Sequence, residues 1–162
     1  MSTLFVDNLK PNLNTGINIP GHIIQVVQNT STTQFSQGGT SFTNTNLDAT
    51  ITPKYQNSKI LISVKQQCTF RMNTSSERAA YTRIIRDDEQ EIVIQIAKAL
   101  VSSATVFWFP TMFAIDVFDT PNRTVGTSVT YRTQGRLSSS SADLYYQHDS
   151  APSTMILMEV GQ

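Results

Sequence analysis

From Lys59 to Phe70, apolar and polar side chains alternate. Ile60, Ile62, Val64, Cys68 and Phe70 fall on one side, with Ser63, Lys65, Gln67 and Thr69 on the other. A period of two marks a strand with one buried face. It argues against a helix, where neighbours on one face are three or four residues apart. Pro53 and the Gln56-Asn57-Ser58 cluster supply the turn ahead of this run. Similar short runs recur along the chain. They are Ile23–Val27, then Ser41–Ile51 after the Gly38-Gly39 break, then Arg78–Arg86 and Glu91–Lys98 around Asp87-Asp88-Glu89-Gln90. Ala104–Phe118, Val125–Gly135 behind an Asp119-Thr120-Pro121-Asn122 turn, and Thr154–Val160 complete the series. No window carries a capped helical stripe. Ile92–Val101 comes nearest, but Ile92, Ile94 and Ile96 alternate and share a face. About eight strands at fairly even spacing predict an all-β fold, an antiparallel β-sandwich of jelly-roll-like form.

The chain of 162 residues fits one such body, spanning residues 21–162, preceded by an extended N-terminal arm at residues 1–20. Leu4, Phe5, Val6 and Leu9 give the arm an apolar tip; Pro11, Gly16, Pro20 and four asparagines break any regular period. So short a segment holds no core of its own. Its apolar residues need a neighbour, either the body of the same chain or another subunit. The alternative is a frayed terminus with a small first strand.

One strand departs from the alternation. In Val106–Val117 one face reads Phe107, Phe109, Thr111, Phe113, Ile115 and Val117; the other reads Val106, Trp108, Pro110, Met112 and Ala114. A strand of a two-sheet sandwich needs one apolar face. The second must be covered by a loop, by the arm or by a partner, and contiguous apolar surface of this size usually marks an interface. Val106, Trp108 and Met112 are therefore the candidate subunit contacts.

Several function classes fit poorly. Lys plus Arg and Asp plus Glu both number 12, which argues against a nucleic-acid binder working by phosphate neutralisation. No run approaches the roughly 18–20 apolar residues of a membrane helix. Met1–Lys10 has neither a basic nor an apolar stretch, so no secretory leader is expected. Ser, Thr, Asn and Gln make up more than a third of the chain while charged residues are only 15%, below the roughly 25% of ordinary soluble proteins.

Candidates for chemistry are sparse. His22, His148 and Cys68 stand far apart with no metal-ligand spacing, so neither a metal nor a cofactor is expected. Cys68 shares the apolar face of its strand and reads as a small buried hydrophobe. Asp87, Asp88, Glu89 and Glu91, flanked by Arg83 and Arg86, read as a solvated hairpin tip; the spacing of a calcium loop is missing. No nucleophile elbow, phosphate loop or dinucleotide fingerprint occurs, and no catalytic residue is assigned. A carbohydrate-active enzyme on this fold would draw its carboxylates from residues such as Asp116, Asp119 and Asp143. Tyr145, Tyr146 and His148 follow the Ser138–Ser141 run in what reads as an exposed loop. Exposed aromatics beside polar groups stack on sugars or anchor partners, so these three are the candidate host-surface contacts.

Four stretches together resemble a family of small structural proteins of tailed bacteriophages, especially marine and cyanobacterial ones. The opening STLFVDNLKPNLNTGINIPG is similar to that family's leader, which runs from a strand to an IPG-like corner. HIIQVVQNTSTTQF resembles its first body strand. TSFTNTNLDATITPKYQNSKILISV resembles its Thr/Ser-rich strand, ITP corner and SKILI strand, and STMILMEV its terminal strand. The order and spacing agree over nearly the whole chain. The departure is the acidic tip at Asp87–Gln90, where such proteins often carry glycine. The resemblance implies a jelly-roll virion protein, typically a homotrimer, partnered by other virion proteins such as a major capsid or tail protein.

The expectation is a non-enzymatic virion component, a trimeric decoration or cement protein held by its arm. The alternative is a short tail-fibre or tail-tip protein that touches the host surface, with a host glycan as its partner. A lectin-like binding module with no virion role is a third reading. No nucleic acid and no membrane insertion are expected.

Overall fold

The computed structural model describes residues 20–72, 76–101, 106–140 and 142–162. The predicted arm residues Leu4, Phe5, Val6 and Leu9 lie outside them. Among the described residues there are ten strands: β1 (Ile23–Ser31), β2 (Phe35–Gln37), β3 (Thr43–Ile51), β4 (Lys59–Met72), β5 (Ser76–Arg86), β6 (Glu91–Val101), β7 (Phe107–Asp119), β8 (Val129–Leu137), β9 (Ala142–Tyr146) and β10 (Ser153–Val160). No α-helix occurs among the described residues; a single 3₁₀ turn covers His148–Ser150.

All pairings are antiparallel. One sheet runs β1-β10-β4, with β7 on the far side of β4; the other runs β3-β8-β5-β6. The chain crosses repeatedly between the two sheets, and the orders β1-β10-β4-β7 and β3-β8-β5-β6 are those of an eight-stranded jelly roll. The expected fold class is therefore the observed one.

The two additional strands have a simple origin. β4 is 14 residues long and pairs with β7 from Ile60 to Met72. Its other side pairs first with β10, from Lys59 to Lys65, then with β9, from Cys68 to Met72. β1 flanks β10 and β2 flanks β9. Thus β1–β2 and β9–β10 are two jelly-roll strands, each interrupted at the same level. The expected exposed loop at Tyr145-Tyr146 is corrected here: these residues belong to β9, and Tyr146 is fully buried. A second correction concerns Val125, which lies exposed in a turn with Gly126 at φ 83°, so that β8 starts only at Val129.

The interruption coincides with a polar layer inside the molecule. On one side of it, Leu47, Ile51, Ile60, Ile62, Ile84, Tyr131 and Leu157 form a core. On the other, Cys68, Phe70, Phe113, Leu137, Leu144 and Tyr146 form a second. Between them four strands place a polar residue: Thr45 on β3, Gln66 on β4, Thr82 on β5 and Thr133 on β8, all buried. Gln66 Nε2 donates to Thr45 Oγ1 at 2.7 Å, and Thr133 Oγ1 donates to the Leu47 carbonyl at 3.1 Å. Thr82 Oγ1 and the Tyr146 hydroxyl share a hydrogen bond of 2.8 Å. Burial would be costly for these groups if they were unpaired. Gly135 is required here for space, because a Cβ would lie 2.1 Å from the Tyr146 hydroxyl oxygen. Cys68 is buried as predicted, and burial pushes its thiol up to about 12.

The sandwich has two open sides. On one, β1 meets β3; on the other, β6 meets β7. At the β1/β3 side, Asn29 Nδ2 donates to the Asp48 carbonyl at 2.6 Å and Gln25 Nε2 to the Thr52 carbonyl at 2.7 Å. The register of β3 on β8 slips between Asn44 and Asp48, with Asn46 at φ 60°, so that Thr45 and Leu47 both turn inward. Nearby, the buried Glu159 carboxylate accepts from the Lys54 and Tyr55 amides, Ser58 Oγ and Gln25 Nε2. This ties the Pro53–Ser58 corner to β10. Among the described residues the β6/β7 side shows no such closure.

Candidate binding surface

β7 is the edge of its sheet, and among the described residues much of its outward face is uncovered. Trp108 is 44% exposed and Met112 58%; Val106, just before the strand, and Phe118 are also exposed. The inward parity of β7 buries Phe113 and Ile115, but Phe107 and Phe109 reach beyond that core and stay partly exposed. Both faces of this strand are apolar, and the outer one is uncovered by the described residues. β6, the edge of the other sheet, adds to the same side. Its inward positions hold Val93, Ala97 and Ala99, packed on the cores. The face shared by Ile94 and Ile96 is the outer one, where Ile96 is 52% and Leu100 76% exposed. The alternation of Ile92, Ile94 and Ile96 predicts one shared face, but Ile92 packs on the core beside the register shift between Ile84 and Ile85. The small Ala97 and Ala99 were the available signal for the outer side of Ile94 and Ile96.

The residues predicted for two separate roles come together. Trp108 sits opposite Arg71 of β4, and Arg71 sits opposite Asp143 of β9. Tyr145 of β9 lies opposite Thr69, whose other neighbour is Pro110. From the β7 edge the Trp108 ring leans across β4 to within 5.6 Å of the Tyr145 ring centroid. His148, in the 3₁₀ turn that follows β9, closes a triangle at 5.1 Å from Trp108 and 5.3 Å from Tyr145. Thr69 beneath is only 4% exposed despite its outward register. Trp108, expected at a subunit seam, thus shares one cluster with Tyr145 and His148, expected at a host contact. Tyr146 points the other way, into the core.

The cluster is held from below and beside. The His148 amide donates to Gln67 Oε1 at 3.0 Å and the Gln147 amide to the Gln67 carbonyl at 3.1 Å. Gln147, Asp149 and Ser150 all have positive φ. That conformation costs non-glycine residues energy and persists where neighbouring contacts impose it. Arg71 Nη1 donates to Asp143 Oδ2 at 2.9 Å, and its guanidinium lies 5.8 Å from the Trp108 ring centre. The hydrogen bond to Asp143 holds Arg71 above the ordinary guanidinium range.

The other sequence candidates separate. Asp116 is exposed opposite Ser63, whereas Asp119, an odd number of residues further along β7, turns to the opposite face. There it accepts from Arg86 at 2.9 Å and from the Tyr131 hydroxyl at 2.7 Å. These two carboxylates do not converge. The acidic tip is a turn laced by ion pairs, Asp88 to Arg86 and Asp87 to Arg123. A depression of about 370 Å³ lined by Asn44, Asn46, Asp48, Asp87 and Arg132 lies near the β3 slip. Among the described residues no three His, Cys, Asp or Glu side chains are placed to hold a metal ion, and no helix is long and apolar enough to cross a membrane.

The fold and this surface define a jelly-roll sandwich with one uncovered, apolar and aromatic side. No protein-family model and no curated protein sequence matches the chain. Among solved structures, it is similar to the infectious bursal disease virus Gx strain at 17% identity and a TM-score of 0.35, over 98% of this chain and 42% of that one. It is also similar to the infectious bursal disease virus VP2 subviral particle at 13% identity and a TM-score of 0.31, over 86% and 38%. The chain thus spans about two fifths of the length of the structures it matches. The jelly-roll architecture rests on this chain's own strand pairing.

Proposed function

We propose that the chain is a non-enzymatic structural protein of a virus particle, built as a homotrimer that decorates a tailed-phage shell. The observation that carries this reading is the asymmetry of the jelly roll among the described residues, one side closed by side-chain hydrogen bonds and the other apolar along two adjacent edge strands, each paired on one side. Unpaired, flat, apolar edges promote unwanted association in a protein meant to stay alone. In a building block they are the joining surface, and permanent interfaces are the more apolar ones. The seam follows the β6/β7 side through Ile94, Ile96, Leu100, Val106 and Met112, with Trp108 at its border. The jelly roll recurs in viral capsid and lectin domains, and the bacteriophage-like stretches of the sequence point to the first.

The arm, residues 1–20, fastens the trimer to another virion protein, a major capsid or tail protein. Thr3–Leu9 would add as a strand to a neighbour, with Leu4, Phe5, Val6 and Leu9 filling its pockets. Three arms act together, so weak single contacts give lasting attachment. Light scattering of the purified protein is expected to give three times the 18.0 kDa chain mass. A single-chain mass at working concentration would overturn the seam. Deleting Met1–Lys10 is expected to leave a folded trimer that no longer joins the particle; full incorporation would overturn the anchoring role.

A second reading is favoured by the Trp108–Tyr145–His148 cluster. A short tail-fibre or tip protein would present such a cluster to the host surface. Labelling the chain on intact particles separates shell from tail.

A further inference from the structure

The geometry points to the Trp108–Tyr145–His148 cluster, with the Arg71–Asp143 pair, as a sugar site that stacks a neutral β-linked hexopyranose, such as a β-galactoside or β-glucoside. This inference rests on the host-contact reading above and names the chemistry of that contact. Three aspects of the cluster carry it.

The first is its shape. The planes of Trp108 and Tyr145 meet at 33°, and His148 stands at 36° to Trp108 and 60° to Tyr145. The rings form a shallow angled floor, not a flat sheet, and the half-exposed indole is its open surface. A pyranose offers one face of C–H bonds that packs on an indole, while its hydroxyls point outward around the rim. β-Galactosides and β-glucosides keep such a face free of axial oxygens.

The second is the rim. The Arg71 guanidinium lies over the indole at 5.8 Å and pairs with Asp143, the two side chains being 40% and 38% exposed. Adjacent sugar hydroxyls can donate to the carboxylate and accept from the guanidinium together. The two charges cancel, which suits a neutral ligand better than an anion. Asp149, adjoining His148, is 87% exposed and provides a further acceptor. Away from the rings, past Met112, the outer face turns to Gln67, Lys65, Ser63 and Asp116.

The third is rigidity. The rings already rest on one another, and the 3₁₀ turn that carries His148 is fixed by the Gln147 and His148 amides donating to Gln67. Little side-chain freedom remains to be lost on binding. Trp108 also leans over β4 toward β9, away from the free edge of β7, so a neighbour docked along that edge leaves the indole open.

Trp108 is the chain's one tryptophan, so intrinsic fluorescence reads the site directly. Titration with methyl β-D-galactopyranoside and methyl β-D-glucopyranoside is expected to give a saturable change, with a Kd on the order of 1 mM for one of them. Saturation-transfer NMR is expected to show at least tenfold weaker binding by Trp108→Ala and Asp143→Ala. Thr50→Ala, exposed on β3 of the other sheet, is expected to bind as wild type. Absence of a saturable signal with either sugar, or equal binding by Trp108→Ala, would overturn the site. A fall in native mass of Trp108→Ala would also overturn it, since a second copy of the chain would then cover the indole. Cell binding separates the two levels. Host-cell binding that survives Trp108→Ala sinks the sugar site and keeps the host-contact reading; sugar binding without any cell binding does the reverse.

Discussion

The two open sides of the sandwich solve the same problem in opposite ways. Where β1 meets β3, side-chain amides of Asn29 and Gln25 cap carbonyls of the facing segment. The β3 slip interrupts any straight edge, and Thr43, Asn44, Asn46, Asp48 and Thr50 face solvent. Ile23 and Val26 are the exposed apolar residues there. Where β6 meets β7, the strands are long, with Ile94, Ile96, Leu100, Phe107, Phe109 and Met112 exposed. The Thr/Asn-rich vocabulary that keeps one side solitary is absent from the other. The comparison teaches that stickiness is local: one chain both blocks and offers edges.

The largest test of this contrast is Ile96→Asp with Leu100→Asp. Burying two charges in an apolar seam outweighs the roughly 1.5–3 kcal/mol that each side chain contributes when buried. Native mass is expected to fall to a single chain, while Thr50→Asp on β3 leaves it unchanged. Equal behaviour of the two variants would erase the distinction. Next in size is Glu159→Ala, which strips the closed side of its acceptor for four groups. A loss of about 3 kcal/mol is expected in urea unfolding, with native mass preserved at low denaturant. Asn29→Ala removes one cap and is expected to cost about 1 kcal/mol; a slow rise in scattering would accompany it, because a β3 carbonyl is freed.

The smallest effect lies at the β5–β6 turn, beside the sticky side. The hydrogen bond from Arg86 holds the Asp88 carboxyl below its ordinary value of 3.8. The unfolded chain then binds its proton first as pH falls. The stabilisation is complete above pH 3.8 and is lost as pH drops through the lower folded value. Since Asp88 is largely exposed, the effect is modest and salt-screened. Urea midpoints of wild type and Asp88→Asn are expected to differ slightly at pH 6 and to converge in strong acid.

Much of this contrast was legible in the residues. The alternation in β4 and the doubly apolar β7 gave the sandwich and its uncovered strand, because period and burial are directly coupled. β2 and β9 were missed for different reasons. Phe35–Gln37 is three residues long and has no period to read. Ala142, Leu144 and Tyr146 do alternate inward, but serines before and His148-Asp149 after masked a five-residue strand. The aromatic cluster was divided between two roles because Trp108 and Tyr145 are 37 positions apart. Only the register of β7 and β9 on β4 brings them together. The side taken by Ile94 and Ile96 was hidden for a similar reason: an apolar face prefers cover, and an assembly can supply it later.

The place of β10 in its sheet has a consequence for how the molecule is made. β1 and β4 do not pair with each other; β10 lies between them. At ribosomal speeds of about 5–20 residues per second, β1 waits on the order of ten seconds for that wedge to emerge. Until then β1 has no strand to pair with, whereas β4 already carries β7 and β9, and the apolar β6 and β7 are already out. A nascent polypeptide of this design profits from a chaperone, or from crowding low enough that neighbours meet only after the last rib has slotted home.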